Sequence, residues 1–408
     1  MGIFNKFFKN STSFDVTNVP WHPVLGGGEG LDLTTDGAMN LAIVYACVNV
    51  KANAMGKLPL HVFQKTEDGR IRVKEHPVTR LLEVRPNPHM SPFVFKSTIN
   101  VHQNTHGVAY IRMQTNKSTG QIESLHLLHP PSVTVARDES GKIFYVELSM
   151  DKNKPNIYNE EEIIRLPYLM LDGFTPKSPL RVAMEQIAVM KKQQRFLNSF
   201  YENGTLSRGV LQLSGTLNKE AKDKVRQAWV EHTSGDDNMS KVAVLDQSME
   251  FKNITIPLHE AEFISSMKWG VSDIARVFGV PAHMVGDLER STFSNIEHQA
   301  MQFVSDVVQP TAVSWEEEMN YKLFTDFEQE QGYYVSFNMA SALRGDSASR
   351  SAFYKTMLEM GVYNINEVRE LEDRDKIENG DKHFVSLNHT TVDNLENYQN
   401  NRTTKGGE

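Results

Sequence analysis

The chain has 408 residues, 39% of them hydrophobic and 23% charged, a balance that suits globular packing and differs from that of a membrane-embedded or wholly disordered chain. This length exceeds one compact core and points to about two to four packing units. Basic residues number 43 and acidic residues 51, a formal net charge of -8, so the basic excess of a protein that grips nucleic acid is missing. Cys47 is the only cysteine, which excludes an intrachain disulfide and any zinc site built on cysteines.

Residues 1–9, MGIFNKFFK, are short, basic and amphipathic. They lack the apolar core of about 7–15 residues that marks a signal peptide. No run in the chain approaches the ~18 apolar residues of a membrane span. With the Ser-, Thr- and Gly-rich stretch that follows, residues 1–40 read as a flexible arm. A helical pattern covers 38–57. From Leu58 to Arg165 short β-like runs alternate with turns: LPLHVF (58–63), VAYIRM (108–113), VTVAR (133–137) and IFYVEL (143–148). One or two helical turns fit between the prolines of HPVTRLLEVRPNP (76–88), and the whole stretch predicts an α+β domain.

At Ser178-Pro179 the pattern changes. Serine caps and proline suits the first helical position, so a helix is expected there, running to Asn203-Gly204. Val182, Val189, Phe196 and Phe200 share one side of it, and Leu180, Met184 and Ile187 another. So wide an apolar band suits a helix with more than one neighbour. Residues 208–256 read strand, helix, strand, a small βαβ-like unit in which Val225, Ala228 and Trp229 form the inward helix face. A second helix covers about 258–278 and stops at Gly279 and Pro281. After the loop VPAHMVGDLERSTF (280–293), Ser294 and Glu297 form a capping-box pattern that starts a helix reaching about 328, with Pro310 expected to kink it. A strand-like YYVSFNM (333–339) follows, then helices at about 346–360 and 365–376, the second with an Asn364/Glu367 capping pair, and a polar tail.

Patterns that carry catalysis are incomplete in every case tested. Gly26-Gly27-Gly28-Glu29-Gly30 lacks the Lys-Ser/Thr of a phosphate loop and a preceding strand. His259-Glu260 begins like a zinc-protease helix, but Phe263 stands where the second histidine is needed. No GxSxG elbow occurs, and Cys47 sits in an apolar helical stretch that suits a packed thiol. His76, His102, His106, His126 and His129 read as ordinary histidines of the β region. No cofactor is implied. Charge is more telling: Glu297, Asp306, Glu316, Glu317, Glu318, Asp326, Glu328 and Glu330 face Lys322 alone over 295–331. Such a run is a solvated helix face or, multiplied around a ring, a lumen that holds DNA loosely.

Six stretches in colinear order resemble the portal proteins of tailed bacteriophages: AIVYACVNVKANAMGKLPLHVF (42–63), HPVTRLLEVRPNP (76–88), FYENGTLSRGVLQ (200–212), ISSMKWGVSDIARVFGVPAHMVGD (264–287), STFSNIEHQ (291–299) and GVYNINEVREL (361–371). The resemblance covers roughly residues 40–385, and FGVP followed by a short loop and SNIE is its most specific part. It implies an α+β portal fold: a wing at 41–177, stem helices at 178–204 and 257–279, a clip at 205–256, a tunnel loop at 280–293, a kinked helix returning to the wing at 294–343, a short helical crown at 344–385 and a disordered tail at 386–408.

The family's role would make the chain a non-enzymatic subunit of a ring of about twelve copies at one capsid vertex. That ring is assembled in the host cytoplasm and passes double-stranded DNA during packaging and ejection. Its partners would be the large terminase subunit, then a head–tail adaptor, with the major capsid and scaffolding proteins around the wing; no membrane is involved. Residues implied to line the channel are Met284, Val285, Asp287, Leu288, Glu289, Arg290, Ser291 and Thr292; those implied to dock the motor are Lys219, Lys222, Lys224 and Arg226. Another phage head–tail adaptor ring, or a capsid-processing enzyme, would be the alternatives. The clip set between two helices argues against a simple adaptor, and the lack of a nucleophile with a base argues against an enzyme.

Overall fold

The structure is a computed structural model that describes residues 34–67, 69–137, 141–148, 155–203, 209–213, 218–233, 249–253, 260–287, 293–341, 347–372 and 374–384. The arm at 1–33 and the tail at 386–408 lie outside them. The chain divides into two units, Met1–Asn338 and Met339–Glu408.

In the first unit, the pattern read as one helix from 38 resolves into α1 (Thr35–Met39) and α2 (Ala42–Lys57). Ile43, Val44, Cys47, Val48, Ala52 and Met55, spaced three and four apart, form the buried face of α2. A short α3 (Pro77–Glu83) lies between the prolines as expected. Against α2 packs α4 (Pro92–His106), a helix in a stretch expected to be strands and turns. Ser91 caps it, its Oγ accepting from Val94 N–H at 3.3 Å, and Pro92 takes the first turn. Its buried positions include Asn100, Gln103, Asn104 and Thr105, so no apolar periodicity announces it. Gly107 ends it at φ +84, and a Cβ there would stand 2.9 Å from Ser178 N; only glycine allows this approach.

Strands β1 (Leu60–Thr66) and β2 (Gly69–Arg72) form a hairpin. Strand β3 (Val108–Thr115) lies between β4 (Ile122–Leu128) and β8 (Ile163–Pro167), and β6 (Ile143–Glu147) between β5 (Val133–Arg137) and β7 (Asn156–Asn159). Every pairing is antiparallel. Val108, Tyr110, Leu128, Tyr145, Tyr158 and Ile163 make one buried cluster, with Tyr110 and Tyr145 edge to face at 5.7 Å.

Ser178 caps the next helix as expected, its Oγ accepting from Arg181 N–H at 3.1 Å. The helix is interrupted at Ala183, giving α5 (Pro179–Val182) and α6 (Met184–Asn203). Next come β9 (Gly209–Leu213), α7 (Lys219–Thr233) and β10 (Met249–Asn253). The two strands pair antiparallel, Gly209 opposite Asn253 and Leu213 opposite Met249. The unit is therefore a two-stranded ribbon with a helix between its strands, not the parallel crossover that βαβ-like implies. The returning helix, α8 (Glu260–Phe278), packs along α6. At the crossing, a Cβ on Gly270 would be 3.3 Å from Met190 Cγ, so the glycine lets the two helices approach closely.

The long helix comes in parts: α9 (Phe293–Phe303), a π-helical turn at Val304–Val308, and α10 (Gln309–Leu323). Helix α9 begins at Phe293, so Ser294, the expected cap, lies instead inside its first turn. Pro310 has no N–H to donate, and the widened turn sits just before it; the expected irregularity takes this form. The helix stops at Leu323 rather than near 328, because Thr325 caps a separate turn, α11 (Asp326–Glu330), in a capping box with Glu328. Strand β11 (Tyr333–Phe337) then pairs with β1, Phe337 opposite Leu60. Trp315 of α10 is fully buried and donates through Nε1 to Gln103 Oε1 at 3.1 Å, while Gln103 donates to the carbonyls of Leu166 and Pro167. One buried amide thus joins α4, β8 and α10.

The second unit holds α12 (Ser347–Glu359) and α13 (Ile365–Leu371). Asn364 and Glu367 exchange side chain–backbone hydrogen bonds at 2.8 Å, the cap expected from the sequence. Buried Asn366 ties α13 to Ile377 and Asp381.

Candidate functional site

Residues 281–287 of the segment expected to be a loop form a closed turn. Pro281 starts and Gly286 (φ +92) closes a 3-10 turn at Ala282–Val285, and Asp287 N–H donates to Ala282 O at 3.0 Å. The turn packs on α2 and on α8. Met284 and Val285, expected as channel contacts, are therefore half-buried within the subunit, and so is Asp287. Leu288, Glu289, Arg290, Ser291 and Thr292 lie outside the described residues. His283, which sequence reasoning passed over, meets Gln299 of α9, Nδ1 to Oε1 at 2.9 Å.

The two apolar stripes of the stem have different fates. Leu180 and Ile187 are buried inside the chain, whereas Val182 and Val189 are about half exposed, and Trp269 on α8 is 63% exposed. The helices are tied by Gln193 Nε2 donating to Ser266 Oγ at 3.1 Å. In α7, Asn218 Oδ1 accepts from Ala221 N–H and starts the helix. Lys219, Lys222, Lys224 and Arg226 are all exposed. Helical geometry puts Lys219, Lys222 and Arg226 on one face and Lys224 on the opposite one. Asp223 stands 3.6 Å from Arg226. Of the expected buried face of this helix, Val225 is half-buried and Ala228 exposed; the Trp229 side chain lies outside the described residues.

The acidic run is not one stripe. Glu316 accepts from Phe337 N–H at 2.5 Å and from Ser336, and burial raises its pKa. Burial raises that of Glu318 as well. Burial also pushes Glu328 upward, but hydrogen bonds from Thr325 and His76 outweigh it and leave the carboxyl below its ordinary value. These three carboxylates hold the fold and do not form a uniform charged lining.

Three of the five histidines converge. The rings of His102, His106 and His129 stand 5.8–6.4 Å apart, all edge to face. Burial, then the neighbouring imidazoles, lowers His102 to about 4; burial, then His129, lowers His106 to about 4 against the pull of Asp36. Among the described residues no group of three His, Cys, Asp or Glu side chains is placed to hold a metal ion. His76 lies apart, with Nε2 3.1 Å from Glu328, and His126 contacts Ser124. Burial pushes Cys47 up to about 12, far from a reactive thiolate. No helix among the described residues is long and apolar enough to cross a membrane.

The mixed helix-and-sheet fold is similar to that of solved portal subunits. An HK97-family portal protein from Corynebacterium diphtheriae superposes with a TM-score of 0.58 at 16% identity, covering 78% of this chain and 99% of that one. A chain from the neck of a native gene transfer agent particle with C12 symmetry gives 0.57 at 16% identity, covering 87% and 96%. At such identities the likeness speaks for the fold. Sequence carries the relationship further: the portal protein of Enterobacteria phage HK97 is 30% identical over 351 residues, 84% of this chain and 81% of its own. The probable portal protein of Streptomyces phage phiC31 is 26% identical over 371 residues, 88% and 80%. The model of the phage portal protein family matches residues 42–373, and the chain belongs to that family.

Proposed function

We propose that copies of this chain close head to tail into a ring of about twelve, the symmetry of the gene transfer agent neck, at one vertex of a capsid assembled in the host cytoplasm. Double-stranded DNA enters and leaves through the ring. The observation that carries this reading is the open apolar face of the stem, Val182, Val189 and Trp269, in a chain of the portal family. The stem is 178–204 with 257–279, and the wing, 41–177 with the returning 294–343, meets the major capsid and scaffolding proteins. The clip, 205–256, docks the large terminase subunit and later a head–tail adaptor through the face of Lys219, Lys222 and Arg226. Residues 344–385 form a small crown.

DNA passes the segment 280–293, whose contribution narrows to Leu288–Thr292, since the residues before them are occupied in the turn. Arg290 is its only basic residue, offset by Asp287 and Glu289, so phosphate contacts are weak and readily broken. The chain is a structural channel in this reading. It carries no GxxxxGK[ST] loop, and ATP hydrolysis falls to the docked motor.

Sedimentation and negative-stain microscopy of the purified protein test the reading. Rings with a central hole are expected, favoured by salt, because subunits of charge -8 repel at low ionic strength. Monomer alone at every protein and salt concentration would overturn it.

A further inference from the structure

We propose that an acidic groove on the exposed side of α10 is the second half of the subunit contact and receives α5 and α6 of the next copy, an inference that rests on the ring reading above. A head-to-tail contact joins two different patches of the same chain, so an open face on α5 and α6 needs a counterpart elsewhere on the subunit. An open groove of about 500 Å³ is lined by Ser305, Gln309, Pro310, Val313, Ser314 and Glu317. It lies where the π-helical turn meets Pro310. Asp306, Pro310, Val313 and Glu317 are all exposed and follow one another at four, three and four residues, so they form one stripe, an acid at each end and an apolar middle. Asp306 accepts from the neighbouring Ser305 hydroxyl, and neither carboxylate has a basic partner among the described residues.

The α5–α6 patch repeats this plan with the charges reversed. Arg181, Glu185, Val189 and Lys192 are exposed and follow at four, four and three residues, with exposed Val182 beside Arg181. Arg181 and Lys192 have no acidic partner among the described residues. The two cations stand eleven residues apart, as do the two acids, about 16 Å along a helix in each case. Laid along the groove, the stripe brings its valines onto Pro310 and Val313, sets one cation against each carboxylate, and leaves Glu185 to the donors Gln309 and Ser314. Paired with its own copy, either patch would set like charges together, so the match itself enforces the head-to-tail sense. Enclosed on assembly, these pairs are screened far less than the net charge of -8, and salt that eases general repulsion leaves them in place.

The test is charge exchange in the full chain, read by native mass spectrometry and negative-stain microscopy. One variant carries Asp306→Lys with Glu317→Lys, a second Arg181→Glu with Lys192→Glu, and a third all four. These positions are exposed, so Tm should stay within a few degrees of the parent. Each two-site variant alone should lose rings about tenfold or more, because both of its patches then bear the same sign. Mixed one to one, the two variants should regain rings of alternating subunits, and the four-site variant should form rings by itself. Rings at the parent's yield from both two-site variants would overturn the pairing. So would their loss without recovery in either the mixture or the four-site chain. The parent separates the two levels. If it forms rings and the exchange fails, only the pairing falls; if it stays monomeric, the ring reading falls and takes the pairing with it.

Discussion

The α+β body and the helices α5, α6 and α8 with the ribbon and α7 between them differ in what their side chains meet. In the body, several buried polar groups find partners on other elements: Gln103 joins α4 to β8 and α10, and Glu316 and Glu328 bond back to neighbouring backbone or side chains. On α5, α6 and α8, Val182, Val189 and Trp269 are exposed, and so is Ala228 of α7. A subunit can thus fold on its body and still present an incomplete surface. Stability and assembly then depend on different residues, and substitutions should separate them.

The largest separation is expected from Val189→Asp with Trp269→Asp. Both side chains are open in the single chain, so the subunit's Tm should change by no more than a few degrees. In a packed interface the same charges would be buried unpaired, and rings should be lost altogether. Native mass spectrometry beside thermal denaturation reads both effects; rings at the parent's yield would remove this face from the interface.

The opposite lever lies in the body. His102 and His106 are held at about 4 when folded, below the ordinary 6.5 they regain on unfolding. The unfolded chain therefore binds more protons as pH falls. Their contribution is fully present above about pH 6.5 and is lost progressively toward pH 4. Subunit stability should drop by a few kcal/mol over that window, and His102→Gln with His106→Gln should flatten the slope. Chemical denaturation at stepped pH checks this; equal slopes in parent and variant would mean other groups carry the acid sensitivity.

The smallest effect is expected at the clip. Lys222→Glu with Arg226→Glu reverses two exposed charges on one face of α7, and motor affinity should weaken about tenfold with rings intact. The same reversal at Lys224, on the opposite face, should do less. Equal affinities throughout would place the docking surface elsewhere.

How much of this the sequence revealed depended on what each element buries. Ser178-Pro179 announced its helix, because cap and proline precede an apolar band, and Asn364/Glu367 announced another. Ser91-Pro92 sends the same signal, yet α4 went unread. Its inner face mixes Phe95 and Ile99 with Asn100, Gln103, Asn104 and Thr105, and Gln103 is held by tertiary partners, Trp315 among them, that no local pattern displays. The antiparallel clip was read with the right element order and the wrong sense, since order alone does not fix strand direction. The turn at 282–285 looked like loop because it takes its stability from α2, far away in sequence. His283 with Gln299, and the three converging histidines, depend on that same long-range packing.

The pairing of β11 with β1 has a consequence in time. Until Tyr333–Phe337 leaves the ribosome, β1 has its hairpin partner β2 on one edge and nothing on the other. About 270 residues separate the two strands, and synthesis at about 5–20 residues per second leaves that edge waiting for roughly a quarter of a minute to a minute. An unpaired strand edge is a template for the wrong chain. On a message read by many ribosomes, neighbouring nascent chains offer the same edge side by side. The faces proposed to join subunits are synthesised before the strand that completes the body. In the proposed ring, each polypeptide would then have to finish its own sheet before it meets its siblings, and the late arrival of β11 would act as a clock on when a subunit becomes fit to join.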